Sequence, residues 1–148
     1  GRQRKKQLEL AKKYNIKYPD PGGGCLLCEK NYCRKLKELF NFKEKLNQEI
    51  KNEEIIILKI GKHFRSTKTK GKIILGRNET QNKELEHLNK ALNWNIIIPE
   101  TFPGPTTIFE NIKDKELAEE LIQTYSSKKD SKNKSKEKPR KEFEKLRI

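Results

Sequence analysis

The sequence predicts an α+β fold: a small mixed domain of about four short strands and two helices, preceded by an α-helical connector and followed by a disordered basic tail. Three observations carry that expectation. Short apolar runs rich in β-branched residues alternate with stretches of helical period between residues 50 and 127. Proline and glycine punctuate the chain at Tyr18–Gly24 and Pro103–Pro105. Charge collects at the ends, with seven basic residues against one acid over Gly1–Lys17 and eight against two over Lys128–Lys141. The boundaries that follow are 1–49 for the connector, 50–127 for the domain and 128–148 for the tail.

Residues 3–14 read as a short helix in which Leu8, Ala11 and Tyr14 share a face, ended by Asn15. Tyr18–Gly24 must be a loop, because two prolines fix φ and three glycines open the backbone. A second helix is predicted over 29–46, where Cys33, Leu36 and Phe40 recur with helical spacing. Ile55–Leu58 is an apolar β-branched run and predicts a buried strand. Ile73–Leu75 predicts a second strand, stopped by Gly76. Asn78 followed three residues on by Gln81 resembles a capping box, so a helix should start there and carry Leu85, Leu88 and Leu92 on one stripe. Trp94–Ile98 and Thr106–Phe109 predict the third and fourth strands, joined through the rigid Pro103-Gly-Pro105 turn. Asp114 should cap a last helix that presents Leu117, Ala118, Leu121, Ile122 and Tyr125 together.

Composition narrows the function classes. The 148 residues carry a formal net charge of +14, with only 32% hydrophobic and 38% charged residues. No stretch approaches the ~20 apolar residues of a spanning helix, and so few apolar residues disfavour a large enzyme core. There is no apolar N-terminal signal, and 3 Cys argue against a secreted disulfide scaffold; a reducing, cytoplasmic setting is expected. With 0 Met and an opening Gly1-Arg-Gln-Arg-Lys-Lys, the chain reads as the C-terminal part of a longer protein.

Two features point to chemistry. Lys59–Arg77 holds seven basic residues and no acid: Lys59, Lys62, Arg65, Lys68, Lys70, Lys72 and Arg77, with His63 among them. Clustered cations of this kind neutralise phosphates and release counterions, so a nucleic-acid face is expected there. The Lys-rich tail carries the same charge but reads as a solvated, disordered segment. Trp94 and Phe102 could stack on bases, core packing being the simpler role for Trp94. Cys25-Leu-Leu-Cys28 followed by Cys33 is the sharper motif. A C-x₂-C pair can reach one metal ion, and Cys25, Cys28 and Cys33 are the candidate ligands for zinc or an iron–sulfur cluster, one short of the usual four. A redox pair or a sulfur-carrying thiol are the alternatives, since a cysteine after three glycines and before a helix meets free backbone N–H groups. The Gly-rich loop lacks the Gly-Lys-Ser/Thr of a phosphate-binding loop, and no Ser-His-Asp set or paired carboxylates stand out.

The order of three segments carries a resemblance. Ile60-Gly-Lys-His-Phe-Arg65, Ile74-Leu-Gly-Arg-Asn-Glu-x-x-Asn82 and Phe102-Pro-Gly-Pro-Thr106 resemble the NFACT-R RNA-binding domain, in the second type found attached to PP-loop enzymes of tRNA thiolation. Gly1–Gln7 and Tyr18-Pro-x-Pro-x-Gly-Gly-Cys25-Leu-Leu look like the segment that follows the PP-loop domain in those proteins. The resemblance spans about residues 1–126. It implies the RNA-binding region of a tRNA sulfurtransferase similar to 2-thiouridine and 4-thiouridine synthases, cytoplasmic, with tRNA as partner. Lys59–Arg77 would grip the RNA backbone together with Asn78 and Asn82. Cys25 would match the second catalytic cysteine, which carries a persulfide or ligates a cluster; the family's usual Thr-Asp after Cys-Leu-Leu is Cys28-Glu29 here. ATP would bind only in the PP-loop domain, whose Ser-Gly-Gly-x-Asp-Ser loop is not among these residues, so this stretch should not thiolate alone. The rival expectation is a stand-alone nucleic-acid or ribosome-binding module with a structural metal at the cysteines.

Overall fold

Ile73, Ile74 and Leu75 follow one another without a polar break because their strand is covered on both faces. In the computed structural model, which describes residues 5–17, 25–126 and 137–148, this strand lies inside one antiparallel sheet. The strands are β1 (Lys62–Arg65), β2 (Lys72–Leu75), β3 (Asn95–Ile97) and β4 (Thr107–Phe109), in the order β1-β2-β4-β3. Register pairs His63 with Ile74, and Ile74 with Ile108.

Alternation along the strands builds two cores. Ile74 and Ile108 face Ile57, Ile60, Leu85 and Leu92. Phe64, Ile73, Leu75 and Phe109 face Ala118 and Leu121 on the other side. The helices that supply these partners are α4 (Glu79–Leu92) and α5 (Lys115–Tyr125). Each fully buried aliphatic side chain contributes about 2 kcal/mol, so the sheet is fixed by apolar burial from both faces rather than by its short ladders.

The helix expected first is α1 (Lys5–Lys13), ended by Asn15 at φ 51°. The second is α2 (Lys30–Lys45), ended by a left-handed Asn47. It is no loose connector: Tyr32 and Leu39 pack with Leu58, and the buried Lys35 Nζ donates to the carbonyl of Leu58 at 2.9 Å. α4 starts where expected, with Asn78 Oδ1 accepting from the Gln81 N–H at 2.9 Å.

Four expectations need correction. Ile55–Leu58 is not a strand: α3 (Asn52–Ile56) runs into a 3₁₀ turn at Ile57–Lys59. The Lys51 N–H donates to Glu54 Oε2 at 3.0 Å, which starts the helix, and Ile57 and Leu58 are both buried at its end. The edge strand is instead β1, inside the basic run. Asp114 makes no side-chain cap; buried, it accepts from the Thr69 hydroxyl, while Asn111 Oδ1 takes the Lys113 N–H at 3.0 Å and opens the 3₁₀ turn Ile112–Asp114 that leads into α5. Finally, residues 137–148 are not a solvated tail. They form α6 (Glu137–Glu144) and an extended end that lies antiparallel along β1. The Arg65 N–H donates to the Leu146 carbonyl at 2.9 Å and the Ile148 N–H to the His63 carbonyl at 3.0 Å. Phe143 and Leu146 pack on the α5-side core and Ile148 is buried. This arm satisfies an edge that would otherwise present unpaired backbone groups. The Gly-rich loop at 18–24 and residues 127–136 of the expected tail lie outside the described residues. No helix among the described residues is long and apolar enough to cross a membrane.

Candidate nucleic-acid interface

The fold divides the basic run of Lys59–Arg77 between surface and interior. His63 is fully buried; its Nε2 meets the Ile60 carbonyl at 2.7 Å and burial, then Lys72 and Lys35, hold its pKa well below the usual value. Lys72 is buried beside Glu38, with Nζ 3.8 Å from Oε2, and burial pushes its pKa down to about 8. Arg65 is spent on the protein itself. Its Nε donates to Glu38 Oε1 at 2.8 Å, its Nη1 to the Lys70 carbonyl at 2.9 Å, and its guanidinium lies 3.8 Å over the Phe42 ring. Arg65 and Lys72 therefore hold α2 against the sheet, and His63 is turned to the Ile60 carbonyl, instead of facing a ligand.

Lys59, Lys68, Lys70 and Arg77 are exposed. Lys68 and Lys70 sit in the turn between β1 and β2, Lys70 at φ 61°. Lys59 borders a cleft of about 920 Å³ between the 3₁₀ turn and α4, but Glu79 and Glu84 line that cleft alongside Lys59 and Lys83.

A smaller cleft, about 310 Å³, has the better chemistry. Gly76, Arg77, Asn78 and Asn82 form one wall, Pro103–Pro105 another, and Tyr125 from the end of α5 the third. The signature residues build it. Gln81 Oε1 accepts from the N–H of Gly61 at 3.1 Å and of Arg77 at 3.3 Å, tying the two loops together. Gln81 thus reaches Gly61 and Arg77 and not back to Asn78, so the box is only half made. Asn82 Oδ1 accepts from the Thr106 N–H at 3.2 Å and fills the space a Cβ on Gly76 would need. Asn78 and Asn82 thereby shape the cleft, and Arg77 is left free on its rim.

Tyr125 gathers the other cations. Lys62 Nζ stands 3.9 Å over its ring and the Arg140 guanidinium 5.4 Å from it. Its hydroxyl donates to Glu144 Oε1 at 3.2 Å, and Arg147 Nη1 holds both Glu144 oxygens at 2.9 and 3.0 Å. Burial, then the neighbouring Arg147, Arg140 and Arg77, lowers the Lys62 pKa, the mark of like charges crowded together. Lys62 thus stands over the Tyr125 ring, and Phe64 tilts against that ring at 5.7 Å. Trp94 packs half-buried on the α4-side core.

Residues 61–145 match the family model for the NFACT protein RNA binding domain. The chain belongs to this family. An RNA partner follows from that membership, and the match takes in α6 and ends at residue 145. No curated protein and no solved structure matches the chain.

Among the described residues the three cysteines are not gathered into one metal-binding group. Cys25 and Cys28 are exposed at a 3₁₀ turn, Leu26–Cys28, and the Cys33 thiol donates to the Leu27 carbonyl at 2.8 Å. α2 begins at Lys30, close to its expected start, with the 3₁₀ turn between it and Cys25. Among the described residues no group of three or more His, Cys, Asp or Glu could hold a metal ion. These residues do not fit zinc or a cluster. Sequence reading missed Tyr125, Arg140 and Arg147 as site residues. Tyr125 looked like core on a helical stripe, and the two arginines fell in a stretch whose composition reads as solvated.

Proposed function

We propose that this NFACT-R domain grips tRNA by its phosphate backbone, within a tRNA-thiolating protein whose ATP-binding PP-loop domain lies outside these residues. The observation that carries the RNA-gripping part is the cleft at the Gly-Arg-Asn signature, rimmed by Arg77 and flanked by Lys62 over Tyr125. Cations on a shaped wall suit phosphates better than bases. The thiolase setting rests on the likeness of Tyr18–Leu27 to the segment that follows PP-loop domains. In that setting the exposed Cys25 is the thiol available for sulfur transfer.

The test is binding of labelled tRNA and of duplex DNA of equal length at two salt concentrations. For the wild type, tRNA should win at both. Arg77→Ala should weaken tRNA binding and lower the slope of log K against log salt by about 1, as expected for one lost phosphate contact. Equal binding of both ligands, with no effect of Arg77→Ala, would place the affinity in diffuse charge and sink the proposal.

A further inference from the structure

The cleft is not complete on the domain body. Arg77 and Lys62 stand on the loop before α4 and on β1, but Arg140 and Arg147 arrive on α6 and the residues after it. Arg140 comes within 5.4 Å of the Tyr125 ring at the margin of the cleft, and Arg147 holds Glu144 beside it, because the arm lies along the outer edge of β1, held by two backbone hydrogen bonds at 2.9 and 3.0 Å and by the packing of Phe143, Leu146 and Ile148. Tyr125 is the meeting point: Lys62 and Arg140 approach its ring, Glu144 takes its hydroxyl, and it lines the cleft with Arg77.

We infer that the C-terminal arm is a working wall of the phosphate site, and that docking of the arm on β1 and binding of a polyphosphate backbone favour one another. Docking brings Arg140 and Arg147 towards Lys62 and Arg77, with Glu144 as the acid between them; Glu79, also on the cleft, is engaged by Lys83 at 2.8 Å. Glu144 is itself held by Arg147 and Tyr125, so it does not offset the mutual repulsion of Lys62, Arg77 and Arg140. A phosphodiester in the cleft removes that repulsion, and by reciprocity whatever binds better when the arm is docked must also tighten the docking. The Arg140 guanidinium is held by its Nε, which donates to the Thr124 carbonyl at 3.2 Å, and the side chain is exposed. The inference rests on the backbone-gripping reading above.

Hydrogen exchange on the full chain tests it, with and without a saturating polyuridine RNA. The reporters are the amides of Arg65 and Ile148, which bond across the arm. The amide of Glu110, which bonds to the Lys72 carbonyl at 2.9 Å between β4 and β2, is the control. RNA should slow the two reporters by about five-fold or more relative to the control, the usual range of a coupling between sites. Arg140→Gln should weaken RNA binding and shrink that slowing while leaving the fold intact by the exchange of Glu110. If RNA binds in an Arg77-dependent way yet the reporters exchange at the same rate with and without it, the arm is a structural edge cover and the inference falls alone. If neither Arg77→Ala nor Arg140→Gln changes RNA affinity, the backbone-gripping reading falls and takes the inference with it.

Discussion

Arg65 shows how one side chain can satisfy a charge pattern and still serve the fold. It sits in an acid-free run, yet its guanidinium closes on Glu38 and Phe42, and its exposed relatives, Arg77 foremost, carry the surface charge. Replacing Arg65 by Ala leaves Glu38 to the poorly aligned Lys72 at 3.8 Å. The loss should be about 2 kcal/mol, the scale for removing one partner of a partly buried, hydrogen-bonded pair. A urea titration followed by the fluorescence of Trp94 would show a lower midpoint. Affinity for tRNA, measured per folded molecule, should stay near wild type. A drop in affinity at unchanged stability would return Arg65 to the RNA face. The same logic explains which site residues were legible. Sequence identified the cations but not their direction, because a basic residue on a strand facing α2 looks the same in sequence as one facing water. Arg77 was legible since a glycine before it and a helix start after it force it onto a loop. Tyr125, Arg140 and Arg147 were not, since their meeting depends on the arm folding back over a separation in sequence that no local pattern records.

At the scale of elements, what reads correctly is what has one period and clear ends. α4 has both: Asn78 caps it, Leu85 and Leu92 are buried on one stripe, and Asn93 at φ 54° ends it. β2 and β4 read correctly as apolar runs between turn residues. Ile55–Leu58 did not, because four apolar residues in a row fit a strand and a helix end equally, and the Lys51–Glu54 hydrogen bond that decides it lies upstream. β1 was hidden behind its charges, and the arm behind its composition: only Phe143, Leu146 and Ile148 betray a buried face. The junction of the 3₁₀ turn with β1 is the tightest of these connections. Gly61 has φ +72°, and a Cβ there would run into the Leu75 carbonyl. Gly61→Ala should therefore destabilise the domain by about 2 kcal/mol or more, the left-handed penalty plus a clash with backbone that cannot move away. It should also weaken RNA binding, because the Gly61 N–H and the Arg77 N–H share Gln81 Oε1. A thermal melt together with the tRNA titration would check both. Wild-type stability in Gly61→Ala would mean that the junction relaxes, and the shared Gln81 bond would then not position Arg77.

For the molecule as a whole, the unusual feature is that its excess positive charge penetrates the interior. Lys35 and Lys72 are both buried, and burial pushes each pKa down to about 8, helped for Lys35 by Arg77 and Lys72 and opposed for Lys72 by Glu38. In the unfolded chain both lysines titrate near 10.4. Below about pH 8 the two states bind the same protons, and the folded state bears the full cost of two buried ammonium groups. Above it the folded state releases protons that the unfolded state keeps, so the unfolded state binds more and stability must rise with pH. The gain accrues between pH 8 and the unfolded value, and because Lys72 and Lys35 repel one another the two contributions are coupled. Tyr125, raised above its ordinary value by burial and then by Glu144, works the other way, and only once the pH passes 10. The urea midpoint should therefore climb between about pH 8 and 10, the opposite of what loss of surface ion pairs would give. Lys35→Met should flatten that climb while raising stability at pH 7, because the methionine fills the same space without a charge to desolvate. A midpoint that is flat or falling over that window in the wild type would show that water or the Glu38 carboxylate keeps these lysines charged in the folded state. The interior would then be sustained by ion pairing in place of the deprotonation described here.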